Sequence, residues 1–96
     1  MILSFADAAT ADVFNGKNTK AARSFAKVVW PVIRRKVDAL NAAHELRDLS
    51  APPASRLEAR KGDQQGRQSI RVNEQYRVTF RFVDGHAHDV RCEDYH

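Results

Sequence analysis

The stretch Ser69-Ile70-Arg71-Val72-Asn73-Glu74-Gln75-Tyr76-Arg77-Val78-Thr79-Phe80-Arg81-Phe82, continued by Val83-Asp84-Gly85-His86-Ala87-His88-Asp89-Val90-Arg91-Cys92, alternates apolar and polar side chains. A period of two marks strands with one face on a core and the other in solvent. Turn residues at Asn73-Glu74-Gln75 and around Asp84-Gly85 divide the stretch, predicting strands near 67–73, 75–83 and 87–93. Ile70 and Val72 share parity with Tyr76, Val78, Phe80 and Phe82, and with His88, Val90 and Cys92. Directly paired residues point to one face, so parity constrains the turns. A two-residue Asp84-Gly85 turn would oppose Phe80 to Asp89. A three-residue Asp84-Gly85-His86 connection instead pairs Phe80 with Val90, Val78 with Cys92, Arg81 with Asp89 and Arg77 with Glu93. The longer turn, with a glycine bulge, is therefore expected. Asn73-Glu74-Gln75 then sets Arg71 against Arg77, a repulsive pair that is useful when a phosphate sits between them. The polar face would carry Ser69, Arg71, Arg77, Thr79, Arg81 and Arg91, with acids near the last strand.

Upstream, Arg56-Leu57-Glu58-Ala59 reads as a short strand before a loop at 61–66, and Leu49-Ser50-Ala51-Pro52-Pro53 as an extended connector. Before that the pattern turns helical. Ile2, Leu3 and Phe5 suit a short first strand. Asp7 is placed to cap a helix that Asn15-Gly16 stops. Pro31 would cost a helix interior about 3 kcal/mol, so a turn over 22–29 should break before Trp30 and leave Pro31 in the first turn of a fresh helix. Ile33, Val37, Leu40 and Ala43 then form the buried stripe, Arg34, Arg35, Asp38 and Asn41 face out, and the helix reaches His44 or Arg47. Helices first and a meander afterwards predict a single α+β domain over residues 1–96, with two or three N-terminal helices on one face of a curved, mainly antiparallel sheet.

The 96 residues include 16 Lys and Arg against 12 Asp and Glu, a formal charge of +4. Its distribution is uneven: residues 1–55 balance at +3, residues 56–81 at +4 and residues 82–96 at −3. Eleven of the basic residues are Arg, the side chain suited to forked phosphate contacts. The lone Cys92 excludes an internal disulfide and supplies too few thiolates for a zinc site. No apolar run approaches the ~20 residues that span a bilayer. A secretory signal is not expected, since no basic segment precedes the first apolar residues and Asp7 interrupts them. These features point to a cytoplasmic protein with no membrane partner.

Two places offer chemistry. Asp94-Tyr95-His96 gathers three proton-transfer groups, and His suits general acid or base work near neutrality. Lys61, between Arg60 and Gly62, sits where a loop can present a compact positive charge to a phosphate. Together these groups offer a route to RNA cleavage without a metal or other cofactor: one group deprotonates a 2′-hydroxyl, cations stabilise the phosphate, and another group protonates the leaving 5′-oxygen. A metal site at His86-x-His88 with Cys92 is the weaker reading, for want of a clear third and fourth ligand.

The run Arg56-Leu57-Glu58-Ala59-Arg60-Lys61-Gly62-Asp63, then Ser69-Ile70-Arg71-Val72-Asn73, Gln75-Tyr76-Arg77-Val78, Phe80-Arg81-Phe82 and the closing Glu93-Asp94-Tyr95-His96, resembles the HigB family of type II toxin–antitoxin modules, in the RelE/ParE superfamily. The likeness is dense from about residue 46 and looser at Ile2-x-Ser4-Phe5 and Arg34-Arg35-Lys36. It implies a curved sheet that binds RNA on the face away from its helices. It also implies metal-free cleavage of mRNA on a translating ribosome, with 2′,3′-cyclic phosphate and 5′-hydroxyl ends. The partners implied are a HigA-like helix-turn-helix antitoxin, the ribosome and mRNA, with operator DNA bound only through the antitoxin complex. Lys61, Asp94, Tyr95 and His96 carry over as catalytic positions and Arg77 as a phosphate contact. Arg56, Arg60, Arg71 and Arg81 complete the expected phosphate-binding set. One departure stands out, because some ribosome-dependent members carry a histidine where this chain has Glu58. The base that removes the 2′-proton stays open among His96, Glu58 and Asp94. Two alternatives share the scaffold: a toxin that inhibits a protein such as DNA gyrase without cutting RNA, and a weakened toxin acting mainly as co-repressor with its antitoxin.

Overall fold

The computed structural model describes residues 1–50 and 56–94. Helix α1 spans Ala8–Phe14 and α2 spans Trp30–Ala42. Strands β1 (Glu58–Ala59), β2 (Gln68–Arg71), β3 (Tyr76–Val83) and β4 (His86–Asp94) form one antiparallel sheet in the order β1-β2-β3-β4. Ile2 and Phe5 bridge in parallel to Ala87 and Val90, so the N-terminal residues cover the outer edge of β4. The helices pack on one face of this sheet, as the alternation requires.

Each helix starts where local chemistry favours it. The Asp7 carboxylate accepts from the Thr10 N–H at 2.9 Å, and the helix stops at Asn15 before Gly16 at φ +74°. Removing that cap with Asp7→Ala should cost about 1 kcal/mol, read as a lower urea midpoint at unchanged m. Two short 3-10 turns, Ala22–Ser24 and Lys27–Val29, precede α2, and Pro31 sits in its first turn, where no amide N–H is missed. Ile33, Val37 and Leu40 are buried along one stripe. Asn41 accepts from the Ile2 N–H at 2.8 Å, which ties the N-terminal segment to α2.

The helix is shorter than the periodicity suggested. It ends at Ala42 because the Asp48 carboxylate takes the N–H groups of His44 and Glu45, both at 3.0 Å, and opens a separate 3-10 turn, Leu46–Leu49. These bonds hold Asp48 below the usual carboxylate range. Leu49 thus ends that turn with its side chain buried instead of starting the connector, and Ala51, Pro52 and Pro53 lie outside the described residues. Val13, Ile33, Val37 and Leu40 from the helices meet Ile70, Val78, Phe80, Ala87 and Val90 from the sheet in one core. Burial of each large apolar side chain contributes about 1.5–3 kcal/mol.

The β3–β4 register corrects the expected turn. Val83 pairs with His86, so the connection is the two-residue Asp84-Gly85 turn, with φ +52° and +80°. Positive φ at both positions is the geometry whose twist matches a hairpin. The extra residue is absorbed farther along: the register shifts between Thr79 and Arg81, and Asp89 takes φ +53°. The Asp89 N–H donates to Ser4 Oγ at 2.9 Å, and the Val90 N–H to the Ser4 carbonyl at 3.1 Å, so the N-terminal segment holds the bulge. Beyond it the expected pairs return, Val78 with Cys92 and Arg77 with Glu93. Arg81 pairs with His88 rather than Asp89, although its side chain still reaches Asp89 Oδ2 at 3.0 Å. The bulge also exchanges faces, putting Ala87 in the core and His88 on the face of Arg81.

Candidate nucleic-acid interface

Arg71 and Arg77 are paired across β2 and β3, so both project from the polar face side by side. Asn73 shapes the turn between those strands, its Oδ1 accepting from the Gln75 and Tyr76 N–H groups at 2.8 Å each. Arg56 comes in from the other side, with its backbone in the left-handed region at φ +46°. Arg56, Arg71, Asn73, Glu74 and Arg77 line a cleft of about 350 Å³. Three guanidiniums against one rim carboxylate make a site suited to a phosphate.

Arg77 is more than a surface contact. It is 5% exposed. Its Nε donates to Ser69 Oγ at 2.8 Å, while Nη2 donates to the Arg56 carbonyl. Glu58 Oε2 lies 4.0 Å from the same nitrogen. The guanidinium therefore holds the strained Arg56 backbone against the sheet as it lends charge to the cleft floor.

Glu58 also borders a second depression of about 240 Å³, lined with Ala59, Arg60 and Lys61. The carboxylate thus stands between the arginine cleft and the Lys61 loop. Lys61 is exposed and starts a 3-10 turn at Gly62–Gln64. Gly62, at φ +64°, lets the chain turn there. Of the expected site residues, Arg56, Arg71 and Arg77 converge in one cleft, and Glu58, Arg60 and Lys61 in the adjoining one. Arg81 is engaged with Asp89 along the sheet. Asp94 ends β4 opposite Tyr76, its Oδ2 accepting from Gln75 Nε2 at 3.2 Å, so alternation puts Glu93 and not Asp94 beside Arg77. Tyr95 and His96 lie outside the described residues.

The sequence reading missed Asn73 and Glu74 as cleft lining. Asn at the start of a turn was the available signal for the first. It also missed a network centred on Glu93. Glu93 Oε2 accepts from Thr79 Oγ1 at 2.7 Å, and Oε1 is 2.8 Å from Arg91 Nη2. Burial pushes Glu93 up, but the Thr79 hydrogen bond and Arg91 outweigh it and leave it below the usual range. Arg67 donates to Thr79 Oγ1 at 2.9 Å and to the Asp89 carbonyl at 2.7 Å.

His86, His88 and Cys92 do not assemble. Cys92 faces the core, its N–H donating to the buried Thr10 Oγ1 at 2.8 Å, whereas His88 is on the polar face. Among the described residues no three His, Cys, Asp or Glu side chains form a metal-holding group. Burial, first, and then Asp7 and Glu93 push the Cys92 thiol up to about 12. Its labelling by a thiol reagent at pH 8 should be at least ~100-fold slower in the folded protein than in urea.

Comparison with known proteins places these features in context. A family described as "RelE-like toxin of type II toxin-antitoxin system HigB" matches residues 3–96. Toxin HigB-1 of Vibrio cholerae serotype O1 is 49% identical over 53 residues, 55% of this chain and 56% of that protein. Endoribonuclease HigB of Proteus vulgaris is 36% identical over 64 residues, 67% of this chain and 68% of that protein. The matched stretches thus span just over half of the first relative and about two thirds of the second. The solved YoeB-YefM complex from Staphylococcus aureus contains a chain of the same fold, with a TM-score of 0.61 at 14% identity, over all of this chain and 98% of that one. Among the described residues no helix is long and apolar enough to cross a membrane.

Proposed function

This chain belongs to the HigB-like toxins of type II toxin–antitoxin systems, and from that premise we propose that it is an endoribonuclease that cuts mRNA on the translating ribosome. The observation that carries the proposal is the three-arginine cleft, with Arg71 and Arg77 directly opposed and Glu58 joining it to the Lys61 loop. A phosphodiester seated there has its charge met by Arg56, Arg71 and Arg77, with Lys61 and Arg60 at the adjoining depression. The 2′-oxygen attacks phosphorus after losing its proton to a base, the bond to the 5′-oxygen breaks, and an acid protonates that oxygen. The products are a 2′,3′-cyclic phosphate and a 5′-hydroxyl. Asp94, Tyr95 and His96 are the proposed proton-handling and nucleotide-orienting groups, with Glu58 as the other candidate base. Arg81, half-exposed in its pair with Asp89, is the proposed outer phosphate contact. The proposed neutralising partner is a helix-turn-helix antitoxin, with operator DNA engaged only through that complex.

Purified protein added to a translation reaction should leave new mRNA ends with 5′-hydroxyls. Intact message would sink the proposal. Persistent toxicity after Lys61→Ala and His96→Ala would point instead to a protein target.

A further inference from the structure

The polar face of the sheet is not uniformly basic. Toward the β1–β2 end, Arg56, Arg71 and Arg77 line an open cleft. Beside it, two more arginines meet carboxylates of the same chain, and Glu93 stands opposite Arg77 across β3 and β4. Arg91 Nη2 is 2.8 Å from Glu93 Oε1, and Arg81 Nη2 is 3.0 Å from Asp89 Oδ2. Glu93 is 21% exposed and Arg91 41%, so their pair is the better shielded of the two. Arg60, Arg67 and Arg91 all act electrostatically with Glu93. The Nε atoms of Arg67 and Arg91 are buried without an acceptor, and Gln64, whose Nε2 donates to Glu93 Oε1 at 3.4 Å, has its Oε1 buried without a donor. Two arginines that repel each other, a threonine hydroxyl and a carboxylate accepting from that hydroxyl form an anion site already filled by a side chain.

We propose that Glu93 is a specificity-determining residue: an internal counter-ion that holds the place of a phosphate between Arg67 and Arg91 and so keeps RNA on the Arg56–Arg71–Arg77 cleft and the adjoining Lys61 depression. The inference rests on the RNA-binding reading above and deepens it. A surface with both halves available would hold single strands along several phosphates, regardless of sequence or context. With Arg67 and Arg91 internally neutralised, the chain grips a short segment and needs further positioning of the message for productive binding. Glu93→Gln is the informative change. Gln keeps an oxygen for the Thr79 hydroxyl but removes the charge that occupies Arg91.

The test measures binding of a 2′-O-methyl single-stranded oligoribonucleotide, which lacks the attacking hydroxyl and stays intact. Glu93→Gln should bind about three- to tenfold tighter at low salt. Its plot of log affinity against log salt should steepen by about 0.7, one added phosphate contact on a single strand. Arg91→Ala should change affinity less than about twofold in the otherwise native protein, yet abolish the gain in the Glu93→Gln background. Unchanged affinity and slope in Glu93→Gln would overturn the inference, as would a loss above about threefold in Arg91→Ala alone. Should Glu93→Gln fail to fold, that single Arg91→Ala measurement still decides. Because the probe cannot be cut, absence of mRNA cleavage would refute the proposed enzyme while leaving this binding result to stand or fall separately.

Discussion

Replacing Lys61 with Met is expected to lower mRNA cleavage by about 100- to 1000-fold while leaving the urea midpoint nearly unchanged. Removing one preorganised stabiliser of a developing anion typically costs that much in rate. Met retains most of the stem's length and loses only the ammonium. The side chain is exposed, and the turn it precedes is held by backbone bonds, including Gln65 N–H to the Gly62 carbonyl at 3.1 Å. A surface change of this kind moves stability by no more than about 0.5 kcal/mol. Mapping of 5′-hydroxyl ends in a translation reaction, together with a urea titration, checks both halves. Full activity in Lys61→Met would remove the residue from the mechanism. An equal drop in stability and activity would assign it to the fold.

Arg77→Met is expected to fail in both respects. The guanidinium joins Ser69 and the Arg56 carbonyl, and each loses its donor when the side chain becomes apolar. Hydrogen bonds to a charged group contribute about 1.5–3 kcal/mol each, and acceptors left buried add to the cost. A net loss of about 2–3 kcal/mol follows, or about 10–20 °C in Tm for a domain of this size. Cleavage should fall at least ~100-fold at a temperature where the variant is still folded, because the cleft loses a cation and the Arg56 backbone loses its tether. Arg77→Lys keeps the charge but not the fork, so it should recover less than half of the lost stability. Wild-type stability in Arg77→Met would refute the structural half of this reading. Wild-type cleavage would refute the other.

The contrast between these two residues shows how much of the site was legible beforehand. The opposition of Arg71 and Arg77 followed from strand parity and one turn length, both local properties, and the sheet has it. That Arg77 is buried and serves the fold was not legible, because its acceptors belong to Arg56 and Ser69, 21 and 8 residues away. Arg81 illustrates the reverse: it belongs to the basic strip by composition, yet Asp89 already engages it.

The same division holds for the fold. Asp7 capping α1, Pro31 opening α2, the buried stripe of Ile33, Val37 and Leu40 and the antiparallel meander all arise from neighbours within a few residues. Periodicity and capping chemistry act at that range, so the sequence alone determined them. The length of α2 and the β3–β4 turn were decided elsewhere. Asp48 draws the backbone of His44 and Glu45 away from the helix, and Ser4, 85 residues from Asp89, holds the bulge that lets Asp84-Gly85 make the tighter turn. Parity correctly required one extra residue between the ends of the hairpin, but it carries no record of where that residue is absorbed. Only the docking of the N-terminal segment on β4 placed it at Asp89. Only the packed sheet, likewise, decided that Arg81 and Arg91 meet carboxylates along the sheet while Arg56, Arg71 and Arg77 line one cleft.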